Sequence, residues 1–249
     1  MTSLTDIDEI VKTWAWDTFS KTTSGKKLNF KQVRLDVVWD KVRFRSEEPI
    51  FQKKKHAALP HPQTLMVSTF TNRTEQVQEH TLRTERQTVS TCKTSITNGF
   101  TKGYNLGLTL AVPNDVLQAT VGYGKEVTVQ NSEEDTILRS ITWSIDSTVK
   151  AQPRRETTAK LEVQVHEYSA NFRVNVHITG TVLVNIFDIV ENKVQMTVEN
   201  DIATVLYDAR RRNTEQIPRE VDFNRRDVTW PVSGVVDFNY GVSQNIEVA

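Results

Sequence analysis

The chain lacks several features that would indicate a common class of function. Cys92 is the only cysteine among 249 residues, so no disulfide can form within the chain. Basic and acidic residues number 31 each, so a formal net charge of zero gives no general reason to expect a nucleic-acid partner. No apolar run approaches the roughly 18 residues of a transmembrane helix. The start, MTSLTDIDEIVKTW, is polar and acidic, which predicts no signal peptide and a protein that is soluble as made.

Catalytic and metal-binding patterns are missing as well. The sequence contains no glycine-rich phosphate loop, no G-x-S-x-G and no H-E-x-x-H. The five histidines do not combine with cysteine or aspartate at the spacing of a zinc site, and no histidine near Cys92 marks it as a catalytic thiol. We therefore expect no enzymatic activity, no cofactor and no metal.

The N-terminal part, residues 1–64, is predicted to form a small head that mixes helix and strand. Residues 5–19 carry apolar side chains at helical spacing, and Thr5 or Asp6 could cap this helix. Residues 30–45 alternate as one strand or two. The lysines and prolines that follow, up to residue 64, predict a long connection.

The rest of the chain, residues 65–249, is predicted to be an elongated β module. Serine and threonine are dense over 65–98, and polar residues on both faces indicate one long strand of a narrow, twisted sheet. Two cleanly alternating strands, 156–168 and 171–186, are expected to be joined by a short turn. Residues 228–249 alternate again and close the chain.

Residues 102–129 are predicted to form an amphipathic β-hairpin. Both arms carry apolar residues on one face and small or polar residues on the other, with a turn between them. Each arm is about as long as the roughly 9–11 tilted residues that cross a bilayer. An ordinary antiparallel sheet in a soluble protein shows the same alternation. A single hairpin cannot close a barrel, so a membrane-spanning role would require several copies of the chain.

The order of these segments resembles the aerolysin-like β-pore-forming toxins, in the epsilon-toxin and mosquitocidal-toxin branch. STFTNRTE at 68–75 resembles the strand that opens the body of that family. ETTAKLEVQV at 156–165 resembles its strand after the hairpin, and VHITGTV at 176–182 resembles its strand that ends in glycine. The resemblance covers about residues 65–186 and implies a mainly β, elongated fold of long, twisted antiparallel strands.

The resemblance also implies a function, that of a pore-forming toxin. A secreted or released soluble monomer would bind a target cell membrane through a surface receptor, which could be a glycan, a lipid or a protein. It would then assemble into a homo-oligomer, typically a heptamer, and insert one hairpin per subunit to form a transmembrane β-barrel. The alternative is a non-lytic carbohydrate- or lipid-binding protein that shares the fold.

Carried onto this sequence, the resemblance implies a role for most residues of the hairpin. The side chains expected to face lipid are Tyr104, Leu106, Leu108, Leu110, Val112, Leu117, Ala119, Val121 and Tyr123. Those expected to face the water-filled lumen are Asn105, Thr109, Gln118 and Thr120. The tip of the hairpin would consist of Pro113, Asn114 and Asp115.

Two further sets of residues are assigned in the same way. The aromatic-rich head is the expected place for receptor binding, with Trp14, Trp16 and Trp39 as candidates, although the same side chains could form the core of the head. Proteolytic activation, frequent in the family, suggests cleavage after Arg212 or Arg226. The alternative is that these are ordinary solvated arginines.

Overall fold

The computed structural model describes residues 3–53, 60–103, 105–119, 124–131, 134–213 and 215–249. Strands make up most of this part of the chain, with short 3-10 turns at Gly25–Lys27 and Phe30–Gln32. The helices are α1 (Ile7–Phe19), α2 (Asn114–Ala119) and α3 (Ile202–Arg212). The strands are β1 (Ser3–Asp6), β2 (Val33–Val38), β3 (Val42–Ser46), β4 (Ile50–Lys53), β5 (His61–Asn72), β6 (Gln78–Thr101), β7 (Asn105–Ala111), β8 (Glu126–Asn131), β9 (Glu134–Ala151), β10 (Arg155–Asp188), β11 (Lys193–Asp201), β12 (Asp222–Asn224) and β13 (Asp227–Val248).

The predicted N-terminal helix is confirmed as α1. Asp6 caps it, because its Oδ1 accepts a hydrogen bond from the backbone N–H of Asp8 at 2.9 Å. The helix buries Ile7, Ile10 and Val11, which the helical spacing predicted, and also Ala15 and Phe19, while the predicted Trp14 is half-buried. These buried side chains join the main core, so α1 is fixed against the sheet by side-chain packing.

The central element is β10, a single strand of 34 residues. The expected turn between residues 168 and 171 is wrong, because β10 runs straight through this region. Burial alternates without interruption through Tyr168, Ala170 and Phe172, and β13 pairs with β10 continuously from Ala159 to Thr179 apart from one bulge. The segment contains no glycine or proline, so nothing in it terminates the ladder.

The other edge of β10 pairs with several short strands in turn. β5, β4 and β3 follow one another along it, and β2 and β11 pair with its C-terminal end. On the opposite side, β13 lies between β10 and β6 in the same sheet. Strands from the first 64 residues therefore share a sheet with the rest of the chain, and a domain boundary at residue 64 stays a prediction.

The long hydroxyl-rich strand predicted over 65–98 is two strands, β5 and β6, separated by a turn. Asn72 is buried and organises this turn: its Nδ2 donates to the carbonyls of Gln76 and Ala151, and its Oδ1 accepts from the N–H of Thr74. An asparagine that bonds its own backbone two residues on is a common turn former. Residues 73–77 contain no glycine or proline, so the usual sequence signal of a turn is missing here.

β6 and β9 form a long antiparallel ladder with no register shift, from Gln78 opposite Ala151 to Ser95 opposite Glu134. Its outer surface is polar and carries the ion pair between Arg83 and Asp146, whereas the other face of β6 is buried from Thr88 to Ile96, so the expectation of polar residues on both faces is wrong for that half of the strand. At this end of the molecule a small cluster of Leu82, Val149 and Ala159 forms a core of its own. Narrow layers of this kind give the fold its elongated form, in agreement with the mainly β expectation.

His177 joins three parts of the fold on the outer face of the sheet. Its Nδ1 lies 2.9 Å from a carboxylate oxygen of Asp227 at the start of β13, and its Nε2 lies 2.8 Å from Glu47 in the segment after β3. Hydrogen bonds to Glu47 and then to Asp227 raise the pKa of His177. The same contact lowers the pKa of Glu47.

We expect the stability of the fold to fall as the pH rises above neutrality. The folded-state pKa of His177 exceeds its unfolded value, so its contribution is complete below about pH 6.5 and is lost as the pH passes the raised pKa. Urea unfolding from about pH 6 to about pH 9 should show this fall in the free energy of unfolding, and it should be smaller in His177→Gln. Equal pH dependence of the two proteins would contradict the assignment.

In acid, Glu47 has the opposite effect on the pH dependence of stability. Its pKa is lowered in the folded state, so its stabilising contribution is lost as the pH falls and the carboxylate is protonated.

Candidate functional site

Two parts of the segment predicted as a hairpin, β7 and β8, pair with each other in a two-stranded sheet. Leu108 lies opposite Val129, and Leu110 lies opposite Val127, in an antiparallel register. The backbone N–H of Val112 donates to the carbonyl of Lys125 at 2.9 Å and extends the pairing by one residue. Among the described residues, these two strands pair only with each other and with no strand of the 11-stranded sheet.

The apolar face of the hairpin is buried against the body of the protein. Its members belong to the main core, and all are at most 6 % exposed: Leu108, Leu110, Val112, Val116, Val127 and Val129. The alternate positions Thr109 and Thr128 are half-buried and exposed, respectively. Burying one aliphatic side chain of this size stabilises a structure by roughly 1.5–3 kcal/mol. In water, the docked position is therefore held by apolar packing and not by strand pairing.

The chain between the arms differs from the predicted turn and return strand. Asn114–Ala119 form the short helix α2, and the carbonyl of Pro113 accepts hydrogen bonds from the N–H groups of Val116 and Leu117, both at 3.0 Å. The expectation of a strand immediately after Asp115 is therefore wrong for this conformation. A proline followed by Asn-Asp and then by the helix formers Leu, Gln and Ala is itself a helix-start signal, which the alternating pattern concealed.

The sequence-predicted hairpin residues divide into three groups. Leu108, Leu110 and Val112 are buried, Leu117 packs half-buried on the core, and Thr109 and Gln118 lie on the polar side. Three more are described by backbone alone: Asn105, Leu106 and Ala119. The remaining four lie outside the described residues: Tyr104, Thr120, Val121 and Tyr123. The sequence analysis gave no role to Val116, Val127 and Val129, although the alternation of KEVTV could have indicated the last two.

The root of the hairpin is tied to the N-terminal segment. β1 pairs in parallel with the last residues of β6, from Ser3 opposite Asn98 to Asp6 opposite Thr101. The Oδ1 atom of Asp6, which caps α1, also accepts a hydrogen bond from the N–H of Gly103 at 3.1 Å. Gly103 has a φ of +66°, a conformation that glycine adopts without strain, and so turns the chain from β6 towards β7.

Lys102 provides a second contact at this root. Its ammonium lies 4.3 Å from the centre of the Phe44 ring on β3, and burial lowers its pKa. Phe44 in turn stacks on Phe100, at a centroid distance of 5.8 Å. A cation over an aromatic face is worth about 0.5–2 kcal/mol, so this contact adds modestly to the docking of the hairpin.

The three candidate receptor-binding tryptophans are all partly buried. Trp39 donates its Nε1–H to Asp8 at 3.1 Å and lies 5.9 Å from the Phe44 ring. Trp14 and Trp16 pack against the core with part of each ring exposed. Their receptor role stays a prediction, and these contacts give each ring a structural role as well.

The two candidate cleavage sites lie in different settings. Arg212 ends α3 and pairs with Asp17 of α1. Arg226 lies in the tight turn between β12 and β13, with a side chain that is 90 % exposed. Cleavage there would separate β13 from the rest of the chain, yet β13 lies between β6 and β10 and buries Trp230. We therefore do not propose that a detachable terminal segment begins at this position, and activation at either arginine stays a prediction.

No helix within the described ranges is long and apolar enough to cross a membrane. Over the same residues, no group of three or more histidine, cysteine, aspartate or glutamate side chains is placed to hold a metal ion. Burial raises the pKa of Cys92 to about 11, so the thiol stays protonated near neutral pH.

Comparison with known proteins shows similarity of structure without similarity of sequence. No family model matches the chain, and no curated protein sequence matches it. A non-toxic crystal protein from Bacillus thuringiensis superimposes with a TM-score of 0.59 at 12 % identity, over 99 % of this chain and 97 % of that one. The Mpp75Aa1.1 β-pore-forming protein from Brevibacillus laterosporus superimposes with a TM-score of 0.49 at 14 % identity, over 99 % of this chain and 90 % of that one. The parasporin-2 toxin from Bacillus thuringiensis, which recognises cancer cells, superimposes with a TM-score of 0.44 at 15 % identity, over 87 % of this chain and 74 % of that one.

The match to the crystal protein extends over nearly the whole length of both chains, which shows a shared fold. The resemblance found in the sequence is thereby confirmed at the level of fold. Because the two sequences are only 12 % identical, the match shows the fold and not the activity, which depends on the residues of this chain.

We expect Asp6→Ala to loosen the hairpin specifically. The substitution removes one carboxylate that both caps α1 and holds the N–H of Gly103. The cap alone should cost about 1 kcal/mol of stability, and amide hydrogen exchange should accelerate in β7 and β8.

Asp201→Ala is the matched control for this experiment. The Asp201 carboxylate caps α3 through the N–H of Ala203 at 3.0 Å, and no hydrogen bond joins it to the hairpin in the described part of the structure. If both variants exchange equally fast in β7 and β8, Asp6 has no special role at the hairpin root.

Proposed function

We propose that this chain, which has the elongated, mainly β aerolysin-like fold, is a pore-forming protein. A released, soluble monomer binds a target cell membrane through a surface receptor of undefined chemistry and assembles into a homo-oligomer, a heptamer by analogy with the family. Each subunit then contributes the hairpin of residues 102–129 to one transmembrane β-barrel. The proposal assigns the chain no catalytic step and no cofactor.

The observation that carries the proposal is how the hairpin is attached. β7 and β8 form a sheet of their own, and their apolar face packs on the body through side chains. Detaching this hairpin breaks no ladder with the main sheet within the described residues, so the principal cost is exposure of the apolar face to water. Lipid removes that cost, because it covers the same face.

The register of the neighbouring strands supports an extended hairpin. β6 and β9 are the stems on either side of residues 102–129, and their ladder ends with Ser95 opposite Glu134. If this register continued without a shift, the turn would fall between Asn114 and Asp115, within the predicted tip. Leu108 would then oppose Val121, Leu110 would oppose Ala119 and Val112 would oppose Leu117 on one face, and Thr109 would oppose Thr120 on the other.

The extended hairpin would have the side-chain distribution that a barrel requires. Apart from Asp115 at the tip, its apolar face carries no charge between Tyr104 and Tyr123, while the lumen face carries asparagine, threonine, glutamine and glycine together with Ala111 and Val116. Closure of the barrel would satisfy all backbone groups of the arms inside the bilayer. The docked form has a different register, with Leu110 opposite Val127, so insertion requires α2 to unfold into the return strand.

A second candidate function is a non-lytic carbohydrate- or lipid-binding protein with the same fold. The observation that favours it is the similarity to a crystal protein described as non-toxic. In that case the hairpin would stay docked, and the protein would bind a surface without forming a pore.

Two disulfides, each introduced into a Cys92→Ala background, test the change of register. Thr109 and Thr128 oppose each other in the docked hairpin, so oxidised Thr109→Cys/Thr128→Cys should hold that form and abolish dye release from target cells or vesicles. Reduction should restore release. The matched variant Thr109→Cys/Thr120→Cys should cross-link only in the membrane-bound oligomer and leave release intact, because these residues oppose each other in the extended register.

The outcomes separate the two candidate functions. Dye release by the oxidised docked-register variant would show that the hairpin does not insert. No release by the reduced protein on any membrane, with the protein still bound and monomeric, would favour the non-lytic binding protein.

A further inference from the structure

The turn between β10 and β11 presents an exposed apolar tip. Within the described residues, eleven large apolar side chains are exposed: Ile189, Val190 and Val194 lie on this turn or at the start of β11, and Phe30 lies in the adjacent 3-10 turn, where its ring packs edge-on against Trp16. Val190 is 79 % exposed, the highest value in that group. The N–H of Ile189 donates to the carbonyl of Gln32 at 2.9 Å, which holds the turn beside the 3-10 turn that contains Phe30.

The turn is built so that the exposed side chains are held in place. Asp188 is 5 % exposed, and its Oδ1 accepts hydrogen bonds from the N–H groups of Val190 and Glu191 at 2.8 and 3.1 Å. Asn192 adopts a φ of +48°, which asparagine tolerates in turns. Glycine, proline and polar residues usually occupy such positions, so two adjacent β-branched aliphatic residues have no evident role in forming the turn.

Basic residues flank the tip along the chain. The exposed Lys26, Lys27 and Lys31 lie in the segment around Phe30, Lys193 begins β11, and the guanidinium of Arg34 lies 4.6 Å from the centre of the Phe187 ring. The acidic groups are largely engaged: Asp36 pairs with Arg34, and Asp188 accepts from the turn amides. Glu191 remains exposed to solvent.

We propose that this apolar tip is a membrane-docking surface that inserts Ile189 and Val190 at the interface of a bilayer containing anionic lipid. Exposed apolar patches mark interaction sites, and aliphatic side chains rimmed by lysines match the interface between acyl chains and negative headgroups. The proposal rests on the proposed function, because it names the surface with which the soluble monomer first meets its target membrane. It adds a lipid contact to whatever receptor the head recognises.

Co-sedimentation with phosphatidylcholine vesicles, with and without about 30 % phosphatidylserine, tests the docking surface. The wild-type protein should bind the anionic vesicles more tightly, and this preference should weaken at high salt. Val190→Asp should lower the partition coefficient by about tenfold or more, because it puts a charge where the proposal inserts an apolar side chain into the bilayer. Val190 is too exposed to support the core, so the variant should fold, and Val190→Ser provides an uncharged second test.

Leu138→Asp is the matched control. Leu138 is 62 % exposed on β9, so it receives the same change at a place outside the tip. The control should bind vesicles as the wild type does. Equal binding of all variants, equal loss in both Asp variants, or binding of the wild type to cells but not to lipid vesicles would overturn the proposal; the last result would assign the contact to a protein or glycan.

Dye release from target cells, measured beside vesicle binding, keeps the two proposals distinguishable. Vesicle binding that depends on Val190, together with no dye release from any cell that binds the protein, would retain the docking surface and reject the pore. Dye release that is unchanged in Val190→Asp would retain the pore and reject the docking surface.

Discussion

The apolar face of the hairpin imposes the main constraint on this molecule, because something apolar must cover it at all times. In the structure that cover is the protein core, through Leu110, Val112, Val116 and Val129. The backbone hydrogen bonds of the hairpin, in contrast, form mostly between β7 and β8. If the proposed insertion occurs, a lipid bilayer would take over the apolar cover that the body provides, and the docked β7–β8 ladder would be exchanged for the pairing of the extended hairpin.

The remainder of the fold is a scaffold that keeps this element in place. β10 pairs along both edges, and the helices α1 and α3 pack on the sheet that it anchors. The contacts that fasten the hairpin root come from the first residues of the chain, through β1 and Asp6. On the proposed function, the sheet built on β10 would stay in place while the hairpin, which is held mainly by packing, would detach.

Much of this organisation could be predicted from alternation alone, since a period of two indicates which residues share a face. Alternation was misleading in two places, the segment that forms α2 and the middle of β10. It concealed α2, because Val116–Ala119 fit both a strand and a short helix, and it gave no reason to run β10 through Ser169 without a turn. The apolar tip at Val190 was also beyond sequence reasoning, because exposure depends on which strands cover a turn.

The measurement that most directly tests the central claim is a spin-label scan of residues 104–123 on target membranes. Single cysteines, introduced in a Cys92→Ala background, would carry the label, and accessibility to oxygen and to a water-soluble nickel complex would be compared at each position. The account predicts a period of two, with labels at Leu108 and Leu110 in lipid and a label at Thr109 in water. Labels that keep the accessibility of the docked hairpin, or that follow a helical period, would contradict it.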